Sequence, residues 1–147
     1  MATTGPAPTP TEVRDVVARL EAAMNAHDVD AFVGCFDPRY DSEQPIHPAR
    51  RFTGTEQVRR NWTSMFEGVP DLRAERRALA VEGATVLSEW RWRGRRSDGS
   101  AFDMAGVIVM GIEAGRIRWA RLYMEPVEGD AATIDEAVRG LVRGAAH

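Results

Sequence analysis

Glu125 closes an alternating segment, Gly115 to Pro126, in which Ile117, Trp119, Arg121, Tyr123 and Glu125 share one face of a period-two strand. A carboxylate among aromatic side chains has its charged form desolvated, which raises its pKa toward the range useful for proton transfer. Glu125 is therefore the leading acid–base candidate, with Tyr123 beside it as a hydrogen-bond donor to a developing oxyanion. Arg121, four residues back on the same face, offers Glu125 an ion pair that would lower its pKa instead, and also a contact for substrate. His47 lies between prolines and carries the imidazole that titrates near neutrality, at the mouth of whatever pocket this strand lines. Tyr40, Ser42 and Gln44 alternate onto one face, where Gln44 can orient a carbonyl without titrating.

The wall of such a pocket is legible in two further segments. Trp90 and Trp92 share a face opposite Glu89, Arg91 and Arg93, so burying the indoles and exposing the charges is the cheaper arrangement. The same logic turns Met104, Gly106, Ile108 and Met110 inward. Trp62 and Phe66, at helical spacing, supply the remaining aromatic bulk. These residues either fill a core or exclude water around a ligand. Gly106 leaves room for a flat ligand or marks a bend; its type fits both. Asp41, Glu43 and His47 lack the second histidine or the cysteine pair of a metal site, so no metal is expected.

Counting residues removes several classes of function. All 19 basic residues among 147 are arginine, which excludes lysine Schiff bases, a pyridoxal linkage and a Walker-type phosphate loop. A formal charge of -3 argues against a nucleic-acid partner. Cys35 stands alone, so no intrachain disulfide forms and a cytoplasmic setting is the expectation. No segment reads as a membrane span or a signal peptide.

The elements that must hold these residues follow from capping and periodicity. Thr9-Pro10-Thr11-Glu12 is a capping box ahead of a helix to about Ala26, with Val13, Val16, Val17, Leu20 and Met24 on one side. Asp28 caps a second short helix through Phe36, ending at Asp37-Pro38. Tyr40 to Gln44 reads as an edge strand, and Thr55 caps a third helix that ends at Gly68-Val69-Pro70. Four strands follow, over Leu72–Val81, Thr85–Arg93, Phe102–Ile112 and Arg116–Val127, divided by glycine turns into an antiparallel meander. Thr133 to Glu136 caps a final amphipathic helix. The order predicts an α+β cone, a curved antiparallel sheet wrapped around N-terminal helices. Residues 1–10 form a flexible tail, 11–128 the domain, and 129–147 a helix packing on that domain.

Arg19 to Phe32, Gln44-Pro45, Gly54 to Val58 and Gly115-Arg116-Ile117 resemble the SnoaL-like branch of the nuclear transport factor 2-like superfamily. The resemblance implies the cone fold, a hydrophobic oxygenated small-molecule ligand, cofactor-free chemistry and a homodimer through the outer sheet face. The ketosteroid isomerase pattern fails residue by residue. Gln44 replaces its general base, Leu20 falls near its oxyanion tyrosine, and Gly106 to Val109 hold no acid. In the limonene epoxide hydrolase pattern Trp90 and Trp92 replace the arginine–aspartate pair, and Glu125 alone keeps a carboxylate. Two expectations follow: proton-transfer chemistry, namely cyclisation, isomerisation or elimination, centred on Glu125, or a non-catalytic binding or dimeric scaffold domain.

Overall fold

Thr9 caps the first helix as its spacing predicts, its hydroxyl accepting from the Glu12 N–H at 3.1 Å. In this computed structural model, which describes residues 6–129 and 132–144, helix α1 spans Pro10–Ala26 and buries Val13, Val16, Val17, Leu20 and Met24. Residues 1–5 of the expected N-terminal tail lie outside the described residues, and Pro10 at its end already belongs to α1. His27 ends α1 in the left-handed region at φ 54°, and its ring both stacks on Phe66, 4.6 Å between centroids, and bonds to the Leu72 carbonyl at 2.8 Å. Asp28 caps α2 (Val29–Gly34), accepting from the Ala31 N–H.

Helix α2 stops short of the predicted Phe36, which instead opens strand β1 (Phe36–Glu43). Parallel pairing to the last strand takes the segment, with the Ile117 N–H donating to the Cys35 carbonyl at 2.8 Å, so tertiary pairing overrides a helical spacing that is locally plausible. Nor is β1 an edge: it lies between that strand and the two-residue β2 (Phe52–Thr53), which has no sequence signal of its own. Pro38 falls within the register shift between Phe36 and Asp41, where the ladder does not need its missing N–H. Helix α3 (Thr55–Gly68) is capped by Gly54 at φ 86°, one residue before the predicted cap.

The meander forms as predicted: β3 (Arg73–Glu82), β4 (Thr85–Arg95), β5 (Ala101–Glu113) and β6 (Arg116–Pro126) pair antiparallel in succession. The six strands lie in the order β2-β1-β6-β5-β4-β3, a curved, unclosed mixed sheet whose one parallel contact is β1 with β6. The architecture is α+β, a cone whose concave face holds the core. Asn25 covers the free edge of β3, donating to the Ala74 carbonyl at 3.0 Å and accepting from its N–H at 2.7 Å.

One extra residue in β6 decides which side chains face the core. Ile112 pairs with Ile117 while Gly111 pairs with Trp119, so Arg118 is a bulge. The bulge swaps the faces of everything after it. Ile117 points inward, and then Ala120, Leu122 and Met124 do, leaving Trp119, Arg121, Tyr123 and Glu125 on the convex side. Gly111 is required there, since any Cβ would overlap the Trp119 ring.

Helix α4 (Ile134–Val142) is capped by Thr133 as expected, but all its described residues are exposed, including Ile134, Val138, Leu141 and Val142. The expectation that it packs on the same domain therefore does not hold within one chain. Among the described residues no helix is long and apolar enough to cross a membrane.

Candidate functional site

The concave face of the sheet and helices α1–α3 enclose a cavity of about 90 Å³. Its depth is apolar, with Leu20, Phe36, Val58, Ile108 and Met110 among its walls. Tyr40, Ser42 and Gln44 all reach it from β1 and the residue that follows, and Trp90 and Trp92 line it from β4. Trp90 is 1% exposed, and its indole N–H donates to the Ser88 hydroxyl at 2.7 Å, which in turn donates to the Ile108 carbonyl at 3.0 Å. A wholly buried polar chain is thereby satisfied inside an apolar core. Trp92, 5% exposed, has no hydrogen-bond partner for its N–H among the described residues.

Above the cavity lies an open groove of about 790 Å³ between α3 and the β4–β5 hairpin. Gln44, Asn61, Trp62, Trp92 and Leu122 border both spaces, so they form the mouth. Trp62 and Trp92 meet edge to face there, with centroids 5.3 Å apart.

Several side chains expected in the cavity are elsewhere. The β6 bulge carries Glu125, Tyr123 and Arg121 to the convex face, which corrects their assignment to the interior; the alternation was read without the extra residue. Glu125, its side chain 47% exposed, pairs with His47 at 2.7 Å between Oε1 and Nε2. His47 is also absent from the cavity lining; it lies in the loop after β1, its N–H donating to the Gln44 carbonyl at 2.7 Å. Arg121 lies over the Trp119 ring at 4.6 Å rather than against Glu125. Phe66 stacks on His27, and Met104 packs against the core without lining the cavity. Gly106, which pairs with Trp90, yields no ligand space: a Cβ there would overlap the Tyr123 carbonyl, so close approach of β6 requires the glycine.

Asn61 and Leu122 are the mouth residues that sequence reasoning missed, Leu122 because the β6 bulge turns it inward. Asn61 precedes Trp62 on α3, and only the position of that helix over the cone brings it to the opening. Phe32 and Phe52 were likewise not singled out, although they contribute to the aromatic wall.

Among the described residues Tyr40 is the only ionisable side chain lining the cavity. Burial pushes its phenol up to about 12, against a smaller lowering from the Ser42 hydroxyl. At neutral pH it is a hydrogen-bond donor and not a base. Among the described residues no cluster of histidine, cysteine and acidic side chains is arranged to hold a metal.

A curved sheet wrapped around helices with an apolar cavity beneath it defines the α+β cone class. The SnoaL-like domain model matches residues 17–120, and the chain belongs to that family. A candidate SnoaL-like polyketide cyclase from Jannaschia sp. CCS1 superimposes with a TM-score of 0.68 at 22% identity, over 82% of this chain and 92% of that one. TsrD from Streptomyces laurentii gives a TM-score of 0.70 at 21% identity, covering 80% and 91%. A protein of ketosteroid isomerase-like fold from Catenulispora acidiphila, in complex with trimethylamine, gives 0.64 at 15% identity, covering 78% and 85%. At these identities the likeness is one of fold. No protein of curated function matches the chain in sequence.

Proposed function

We propose that this SnoaL-like protein binds a neutral, mostly apolar, oxygenated small molecule in the cone, and that its own side chains transfer no proton. The observation that carries this reading is the lining: aromatic and aliphatic walls, a few neutral polar groups, and Tyr40 as the sole ionisable member among the described residues. A cyclisation, isomerisation or elimination centred on Glu125 would need that carboxylate at the ligand, whereas it sits on the convex face against His47. Native mass spectrometry after incubation with a metabolite extract tests the proposal. Retention of a species without its conversion is expected, and equally for Glu125→Gln, whose affinity for that species should stay within about twofold of wild type. Conversion by wild type that Glu125→Gln loses would restore the proton-transfer reading.

The ionisation state of Tyr40 adds a second test. Because the folded phenol stays protonated to about 12, ligand affinity should be flat between about pH 6 and 10 by calorimetry. A bell-shaped profile in that window would place a titrating group at the ligand and contradict the proposal.

We further propose that the chain pairs with a second copy through the convex sheet face. Leu87, Val107, Val109 and Tyr123 form an apolar strip across β4, β5 and β6, flanked by Glu89, Arg91, Arg121 and Glu125. Mixed charge around an apolar centre suits a self-complementary interface. Val107→Arg places an unpaired charge at the centre of the strip. Light scattering should give a dimer mass for wild type and a monomer mass for the variant.

A further inference from the structure

Helix α4 is amphipathic and, within one chain, uncovered. At about 100° per residue, Ile134, Val138, Leu141 and Val142 fall on one side of it, while Asp135, Glu136, Arg139 and Arg143 take the rest. Ile134, Leu141 and Val142 are each more than three-quarters exposed. Its start is firmly specified: the Thr133 hydroxyl accepts from the Glu136 N–H at 3.4 Å and donates to the Glu136 carboxylate at 3.1 Å. Helices shorter than about 12–15 residues are nonetheless marginal in water, so a capped helix of nine residues needs a partner for its apolar side.

The charge pattern selects that partner. Two acids and two arginines balance on the polar side, which therefore lacks the basic excess that holds a surface helix to anionic lipid. The helix is instead complementary to itself. Ile134, Val138 and Leu141 follow the four-then-three spacing of a two-helix seam. Two copies overlap fully when they lie antiparallel with Val138 facing Val138. Asp135 then stands two residues, about 3 Å along the axis, from Arg139 of the second copy, and the two-fold repeats the contact. A parallel pair would turn Asp135 toward the uncharged flank of Ala137 and Gly140.

Chain geometry permits the contact. The Val127 N–H donates to the Asp103 carbonyl at 2.9 Å, which anchors the segment four residues beyond Tyr123. Four strand residues span about 13 Å, so a two-fold through the apolar strip puts the two anchors at most about 26 Å apart. Residues 128–133 can reach up to about 20 Å from each side. A helix about 14 Å long buries too little for a specific interface, which takes about 1,000 Å², so α4 adds to the sheet contact and does not replace it.

We infer that α4 is the second contact of the dimer and packs antiparallel on α4 of the other copy. This rests on the two-copy reading above. Engineered cysteines test it, since a disulfide forms only where Cα atoms lie within about 7 Å. In a glutathione redox buffer Val138→Cys, on the axis, should cross-link to itself in most chains. Ile134→Cys should do so in under about a tenth, its two copies lying about 12 Å apart along the pair. Cys35, 2% exposed, stays out of reach. Val138→Glu should raise the dimer dissociation constant about tenfold by analytical ultracentrifugation and leave the domain folded, because α4 covers nothing in its own chain. If Val107→Arg dissociates the dimer and Val138→Cys fails to cross-link, the α4 pairing is overturned and the sheet contact stands. Equal self-cross-linking of Ile134→Cys overturns it too, as does flotation with phosphatidylcholine–phosphatidylserine vesicles that Val138→Glu abolishes. A chain monomeric at every concentration overturns both readings.

Discussion

Trp90→Ala is expected to remove about 3–5 kcal/mol of folding stability, the cost typical of emptying a large aromatic site in a core. Trp90 is 1% exposed at the centre of β4, and its indole both fills the cone and donates to Ser88. Folding free energies of single domains are about 5–15 kcal/mol, so the loss takes a large share of the total. For a domain of this length the melting temperature should fall by on the order of 10 °C. Urea unfolding of wild type, Trp90→Ala and Trp90→Phe separates the contributions. Phenylalanine keeps an aromatic ring but loses the hydrogen bond and part of the volume, which together should cost about 1–3 kcal/mol. Ser88→Ala tests the chain from its other end: it strands the Trp90 N–H in an apolar interior, for about 1–3 kcal/mol. Because the two residues share one hydrogen bond, their effects should be non-additive in a double-mutant cycle. A Trp90→Ala protein that unfolds at wild-type urea concentrations would mean that the cone is held chiefly by its helices.

Much of this fold was legible because its signals are local. Thr9, Asp28 and Thr133 are capping residues three positions before the amide or acid that completes each cap, and all three helices start where those residues put them. The alternation of Trp90 and Trp92 against charged neighbours placed β4 correctly, since no irregularity interrupts its pairing with β5. The errors have non-local causes. Phe36 fits a helix by spacing and enters a strand because β6, about 80 positions along the chain, offers it a ladder. Glu125, Tyr123 and Arg121 were assigned to the cavity through an unbroken period of two, and a single bulge at Arg118 inverts that assignment for the rest of β6. Periodicity contains no mark of a bulge whose residue is an ordinary arginine. The contacts of Gln44 and Asn61 are similarly hidden, because they depend on Arg50 and Gln57 reaching the two amide oxygens in space.

Ala120→Leu should abolish ligand uptake while leaving the fold intact. Ala120 is buried on β6, paired with Met110 on one side and Ser42 on the other, and its methyl forms part of the cavity floor. Leucine adds branched bulk that projects into the cavity, where the core is incompletely filled. Overpacking a full core costs about 1–3 kcal/mol, and here the cavity of about 90 Å³ absorbs much of that strain in the unliganded protein. A bound ligand has no such space left, so the same cost appears as lost affinity, about a hundredfold by calorimetry for the species retained from the extract. The melting temperature should stay near that of wild type, which separates blocked access from unfolding. Trp92→Phe provides the complementary comparison, since it leaves the floor open and trims the indole ring at the mouth. If Ala120→Leu folds and still binds the retained species at wild-type affinity, the ligand lies wholly in the outer groove. The apolar cone beneath Trp62 and Trp92 would then be core and not a binding site.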